Sequence, residues 1–152
     1  MIYRHLSEDD KREICSWKYE GEYAIYNLPP YEEMKKAGSG FLNPQNEKNF
    51  YGFFEGDTLV GFVNIKEESA EIFIGIGVRP TSCGKGYGRE ILGEAYRISK
   101  ENYPTKPLYL EVRSWNQRAI RCYQKAGFAI DGEPFEQTTG IGKGTFYRMT
   151  KK

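Results

Sequence analysis

The strongest constraint on the fold lies between residues 70 and 102. From Ala70 to Val78, Ile72, Ile74, Ile76 and Val78 alternate with Glu71, Phe73, Gly75 and Gly77, the period of a strand with one buried face. Next come Pro80-Thr81-Ser82-Cys83-Gly84-Lys85-Gly86-Tyr87-Gly88 and a segment from Arg89 to about Asn102. In that segment Ile91, Leu92, Ala95, Tyr96 and Ile98 recur at helical spacing. A strand, a glycine-rich turn and a helix in that order leave the first helical N–H groups and the turn amides as unpaired donors, and the helix dipole adds positive potential there. Gly84, Gly86 and Gly88 let a phosphate approach without a Cβ in the way, while Lys85 and Arg89 add cationic charge. The pattern predicts an anion cradle. Two glycines on one strand face predict a groove beside it, because glycine in a strand marks a close approach of ligand or backbone. A turn that simply needs positive φ would look similar, so the glycine spacing has to decide.

That spacing excludes two phosphate loops. A Walker loop needs GxxxxGK followed by Ser or Thr, and neither Gly84-Lys85-Gly86 nor Gly142-Lys143-Gly144 completes it. A dinucleotide fingerprint needs GxGxxG after the first strand and an acidic residue about 20 positions on. Here the third glycine comes one residue early, and several strands precede the turn.

Composition removes further classes. The single histidine, His5, and cysteines at 15, 83 and 122 form no CxxC or HxxxH set, so neither a structural zinc nor a histidine-based triad is expected. Three widely spaced cysteines and no signal-like start predict reduced thiols and a cytoplasmic protein. No apolar run nears the roughly 20 residues of a membrane span. With 22 Lys+Arg against 21 Asp+Glu the net charge is +1, against a nucleic-acid partner. The 39% share of hydrophobic residues is thin for 152 residues, but nine Phe, twelve Tyr and two Trp each bring about 150–250 Å² of contact. One domain over residues 1–152 with an aromatic interior or cleft is expected.

The remaining elements follow from local signals. Ser7-Glu8-Asp9-Asp10 starts a helix to about Trp17 that buries Ile14 and Trp17. Tyr19 to Pro30 is a loop or broken helix. A second helix runs from Pro30 through Tyr31, Met34 and Ala37 and ends at Gly38-Ser39-Gly40, and Phe41 to Lys48 is connecting loop. Strands Phe50–Phe54 and Thr58–Ile65 flank a hairpin turn at Glu55-Gly56-Asp57. A strand covers Leu108 to Val112, a helix Asn116 to Ala126 with Gly127 at its end, and two strands, Phe128–Gly132 and Phe146–Thr150, close the chain around a polar loop.

At this point the chain resembles the GCN5-related N-acetyltransferase (GNAT) family. The family's acetyl-CoA loop, Arg/Gln-x-x-Gly-x-Gly/Ala after a strand, is matched by Cys83-Gly84-Lys85-Gly86-Tyr87-Gly88, with Cys83 in place of the usual Arg or Gln. Val78-Arg79-Pro80, Asn116-Gln117-Arg118-Ala119-Ile120, Tyr123, Lys125, Gly127 and Phe128 extend the likeness over about Glu71–Phe128. The resemblance implies an α/β (α+β) fold, a mixed and mostly antiparallel sheet of six to seven strands flanked by about four helices. It also implies acetyl-CoA as cofactor. Ile76, Gly77 and Val78 would pair their backbone with the pantetheine arm as an added strand does. Cys83, Gly84, Lys85, Gly86, Tyr87, Gly88 and Arg89 would hold the pyrophosphate, and Asn116 would touch the arm. Tyr123, seven residues from Asn116 and so on the same helix face, would be the general acid for the leaving thiolate. Without the resemblance, Asn116 reads as an N-cap and Tyr123 as a core aromatic.

Attack on a thioester requires a neutral amine, and an α-amino group, ordinarily near 7.7–8.0, needs far less help than a lysine-type amine near 10.4. The candidate base is Glu111, twelve residues before Tyr123 in Leu110-Glu111-Val112-Arg113. That order is similar to ribosomal-protein N-terminal acetyltransferases, where such a Glu is the base; otherwise Glu111 reads as a partner of Arg113 or of solvent. Glu71, acting through water, is the runner-up. Cys83 and Cys122 lack a partnered histidine, so direct transfer is expected over an acyl-cysteine. In the family the first helices hold the acceptor. Here Trp17, Tyr19, Glu20, Glu22, Tyr23, Tyr26 and Tyr31 would form an aromatic and acidic wall for a cationic amine. The resulting expectation is an N-acetyltransferase acting on a small amine or a peptide N-terminus, with a catalytically silent acyl-CoA-binding module as the alternative. Monomer and homodimer are both compatible with the sequence.

Overall fold

In a computed structural model, which describes residues 1–152, the first helix forms where its capping signals stand. Ser7 Oγ accepts the Asp10 amide at 3.1 Å, and the Asp10 carboxylate accepts the Ser7 amide at 2.8 Å, a reciprocal capping box. The α-helices are α1 (Glu8–Ser16), α2 (Tyr31–Ala37), α3 (Tyr87–Asn102) and α4 (Gln117–Lys125). The strands are β1 (Ile2–His5), β2 (Phe50–Glu55), β3 (Thr58–Glu67), β4 (Ile72–Val78), β5 (Leu108–Arg113), β6 (Ala129–Ile130), β7 (Phe135–Thr139) and β8 (Gly142–Lys151). They form one mixed sheet in the order β1-β2-β3-β4-β5-β8-β6, with β7 also paired to β8. The β4–β5 pair is parallel, joined by α3, while β1–β2, β2–β3, β5–β8, β6–β8 and β7–β8 are antiparallel. Eight strands replace the six or seven expected, the additions being β1 and β7. No helix is long and apolar enough to cross a membrane.

The chain divides into two compact units, Met1–Asn64 with Ile76–Tyr87, and Ile65–Gly75 with Gly88–Lys152. The first holds β1, β2, most of β3, α1 and α2. Its hairpin closes at Gly56, whose φ of 58° is the left-handed value such a turn requires. The segment expected as a connecting loop is instead two short 3₁₀ helices, Gly40–Leu42 and Pro44–Asn49. They bury Phe41 and Leu42, and the Phe41 ring meets Phe50 edge-on at 5.6 Å. Apolar residues followed by an Asn-Pro start do more here than connect.

The second unit holds the start of β4, most of α3, β5, α4 and β6 to β8. Leu108, Leu110 and Val112 point one way from β5 into the core with Ile91, Leu92 and Met149, as the alternation predicted. The polar loop before β8 contains β7, so β8 begins at Gly142 rather than Phe146.

Candidate active site

The β4–β5 ladder consists of Ile72↔Leu108 and Phe73↔Tyr109, and β4 then continues through Ile74–Val78. At its end the chain is pinned within the first unit. The Arg79 amide donates to Val60 O at 2.8 Å and Arg79 Nε to Leu59 O at 2.7 Å, while the guanidinium pairs with Glu13. A 3₁₀ turn at Pro80–Ser82 leads to Gly84 and Gly86, whose φ values are 79° and 85°. No heavy atom lies within 4 Å of where a Cβ would stand at either position, so the space beside their amides is open. Helix α3 starts at Tyr87, two residues earlier than expected, placing Tyr87 and Gly88 in its first turn. Open amides running into a helix start fit an anionic pyrophosphate on this backbone. Lys85 and Arg89 are exposed beside it. Cys83 turns its Sγ back toward Arg79 O at 3.5 Å and Val78 O at 3.9 Å, so the position usually held by Arg or Gln supplies no charge.

The groove expected from the strand glycines is filled at Gly77. A Cβ there would overlap Phe62 Cε1, so position 77 is bare to admit a protein ring. Trp17 also needs correction as an acceptor residue. It is 6% exposed in the core, 6.1 Å from Phe62, with the Arg79 guanidinium 5.4 Å over its ring. Tyr31 is likewise committed: it is buried, donates to Glu8, and has Arg12 and Lys35 over its ring. Tyr19 OH donates to Val78 O at 2.6 Å and the Tyr19 amide to Asn27 Oδ1 at 2.7 Å, tying the segment expected to meet the acceptor to the end of β4. Glu20 stands just before a 3₁₀ helix, Gly21–Tyr26, without a side-chain capping bond, and the helix carries half-buried Tyr23 and exposed Glu22 and Tyr26.

In the second unit Glu111 is exposed on β5, and its Oε1 accepts Gln137 Nε2 at 3.2 Å. Its partner is therefore a β7 residue the sequence reading missed, rather than Arg113. The runner-up base, Glu71, is held by Arg148, which also bonds Asp131 at 3.3 Å and lies 4.4 Å over Tyr109. Burial, then its hydrogen bond to Glu68 at 2.8 Å, pushes the Tyr109 phenol well above its ordinary range. On α4, Asn116 Oδ1 accepts the Ala119 amide at 3.1 Å, so Asn116 is the N-cap. Tyr123 lies half-buried two turns on. Burial raises the Cys122 thiol despite nearby Lys125 and Arg89, unlike an activated nucleophile.

Against known proteins, a model of the "Acetyltransferase (GNAT) family" matches residues 9–128. A spermidine N(1)-acetyltransferase of Vibrio cholerae is 25% identical over 134 residues, 85% of this chain and 73% of that relative. An N-alpha-acetyltransferase of Sulfurisphaera tokodaii is 28% identical over 109 residues, 67% of this chain and 65% of the relative. Another bacterial N-acetyltransferase is matched over only 56% of its own length. In three dimensions, the Vibrio cholerae spermidine N-acetyltransferase in complex with CoA and spermine superposes with a TM-score of 0.72 at 20% identity, over 98% of this chain and 93% of that one.

Proposed function

The chain belongs to the acetyltransferase (GNAT) family, and from that premise we propose that it moves an acetyl group from acetyl-CoA directly to a primary amine. The observation that carries the reading is the pair of left-handed glycines, Gly84 and Gly86, with open space beside their amides at the entry to α3. A backbone cradle of this kind grips a diphosphate without needing an arginine at position 83. The backbone of Ile76, Gly77 and Val78 would flank the pantetheine arm, with Asn116 contributing beside it. Tyr123 gives its phenolic proton to the departing sulfur, and Glu111 takes the proton that the amine sheds as its nitrogen bonds to the carbonyl carbon. Gln137 orients the Glu111 carboxylate. Tyr19, Glu20, Tyr23 and Tyr26 remain the proposed acceptor segment. The named relatives act on spermidine and on α-amino groups, so both amine classes belong in the test.

That test is thiol release from acetyl-CoA across polyamines, amino acids, peptide N-termini and aminoglycosides. Turnover is expected with at least one of these classes. Tyr123→Phe should lower kcat by about 100-fold, the lower end for loss of a general acid, with CoA affinity within twofold of wild type. Tight CoA binding with no turnover on any amine would instead identify a silent acyl-CoA-binding module.

A further inference from the structure

The face shared by β5, β7 and β8 in the second unit carries a charge that its own chain leaves uncompensated. Arg113, at the end of β5, is 7% exposed. Its Nη2 donates to one neutral hydroxyl, Thr139 Oγ1, at 3.3 Å, and its guanidinium lies 4.7 Å over the Phe146 ring. The neighbouring carboxylates are engaged elsewhere. Glu71 and Asp131 bind Arg148, Glu136 binds Lys143, and Glu111 accepts from Gln137. A buried guanidinium without a counter-anion is costly, and such a group is normally paired.

The fold nevertheless makes room for it. A Cβ at Gly144 would overlap Arg113 Nη1, so β8 carries glycine where the guanidinium passes. The buried side-chain atoms without a partner are Trp17 Nε1, Asn64 Oδ1 and Ser99 Oγ, and no nitrogen of Arg113 is among them. A guanidinium offers five N–H donors in a planar fork suited to a bidentate carboxylate, and one is used here.

Position completes the argument. Glu111 and Arg113 are two residues apart on one strand face, about 7 Å along the chain, and Gln137 and Thr139, two apart on β7, steady one each. A carboxylate beside a guanidinium, both held by residues of β7 across β8, is complementary to a molecule bearing an ammonium and a carboxylate a short distance apart. A polyamine offers no anion and would meet like charge at Arg113.

Building on the transfer reading above, we propose that Arg113 is a specificity residue that binds the carboxylate of the acceptor, so that the preferred acceptors are amino acids rather than polyamines.

The test uses pairs that differ only in the carboxylate: L-phenylalanine against phenethylamine, and L-lysine against cadaverine. With the full chain and acetyl-CoA, kcat/KM should be at least tenfold higher for the amino acid of each pair. In Arg113→Gln the preference should fall to within twofold, while Arg113→Lys should retain part of it. Gly144→Ala, which displaces the guanidinium without removing it, should reduce the preference too. Equal rates within the wild-type pairs, or a preference that survives Arg113→Gln, would overturn the inference. Should the Arg113 variants fail to fold, the wild-type pairs still decide. Calorimetry with N-acetyl-L-phenylalanine and N-acetylphenethylamine in the presence of CoA gives a readout independent of turnover, with the acid expected to bind at least tenfold more tightly. If the acid binds preferentially yet no amine is ever acetylated, the transfer reading fails and the carboxylate site stands; equal affinities overturn the site whatever the turnover.

Discussion

The loop after β4 and the face built by β5, β7 and β8 meet negative charge by different means. In the loop the donors are amides, exposed because Gly84 and Gly86 hold φ of 79° and 85° with nothing over them, and they follow one another in sequence. On the β5–β7–β8 face the donor is one side chain, Arg113, held by Thr139, Phe146 and a bare Gly144 drawn from two other strands. A backbone cradle recognises a group common to every reaction of its kind, while a side-chain site can change with one substitution. On the proposed reading the conformation of the chain would hold the cofactor and its side chains the acceptor.

The comparison breaks most readily at Gly86. Valine there would have to adopt a left-handed conformation, costing about 1–2 kcal/mol, and its side chain would occupy the open space beside the amide. CoA affinity measured by calorimetry should fall on the order of 30-fold, about 2 kcal/mol, while the preference between amino acid and decarboxylated amine stays unchanged. Lys85→Ala should cost less than about 1 kcal/mol and lose its effect as salt rises, since the lysine is exposed. If Lys85→Ala weakens CoA more than Gly86→Val does, the loop reads charge rather than backbone geometry.

A smaller effect tests what each glycine is for. Gly77 and Gly86 both read as places where a ligand approaches, yet Phe62 fills the space beside Gly77. Gly77→Ala should therefore destabilise the protein by about 1.5 kcal/mol through overpacking, measured by urea unfolding. Phe62→Leu in the same chain should relieve most of that loss, a coupling expected only for side chains in contact. Weaker CoA binding with unchanged stability would return Gly77 to the ligand.

What could be read in advance follows the same division. The β2–β3 hairpin, the separate elements β4, α3 and β5 and the turn glycines are legible because each carries its own periodicity or turn residues in near neighbours. Strand β1 is not, because Ile2–His5 is exposed throughout and shows no alternation of buried positions. Strand β7, with the sequence Phe-Glu-Gln-Thr-Thr, is held by register with β8 rather than by a hydrophobic stripe, so the Gln137 bond to Glu111 was out of sight. Helical spacing places Trp17 at the buried end of the first helix, whereas aromatic composition places it in an acceptor wall. Helical spacing gave the right answer, and aromatic composition gave the wrong one. Arg113 could be named from Leu110-Glu111-Val112-Arg113, but its lack of a carboxylate partner depends on Glu71, Asp131 and Glu136 choosing other cations, which no local pattern encodes.

The first unit also uses charge, but to hold its own chain, and Asp10 separates that use from recognition. Burial raises the Asp10 carboxyl, but the Arg4 guanidinium at 2.5 Å and the amide and hydroxyl of Ser7 prevail and hold it below its ordinary range. A carboxyl lowered on folding stabilises the protein above its unfolded value, near pH 4, and loses that contribution as pH falls through the folded value. Asparagine keeps an oxygen for the Ser7 amide but gives up the charge facing Arg4 and the dipole of α1. Asp10→Asn should therefore cost about 1 kcal/mol at pH 7, a typical penalty for a capping interaction, and progressively less as the pH is lowered through the folded value of the carboxyl, read by urea unfolding at each pH. CoA affinity at pH 7 should stay within twofold of wild type, because the cradle in the same unit is made of amides that do not titrate. A CoA affinity that follows the acid transition of Asp10 would show that the backbone cradle depends on side-chain charge after all.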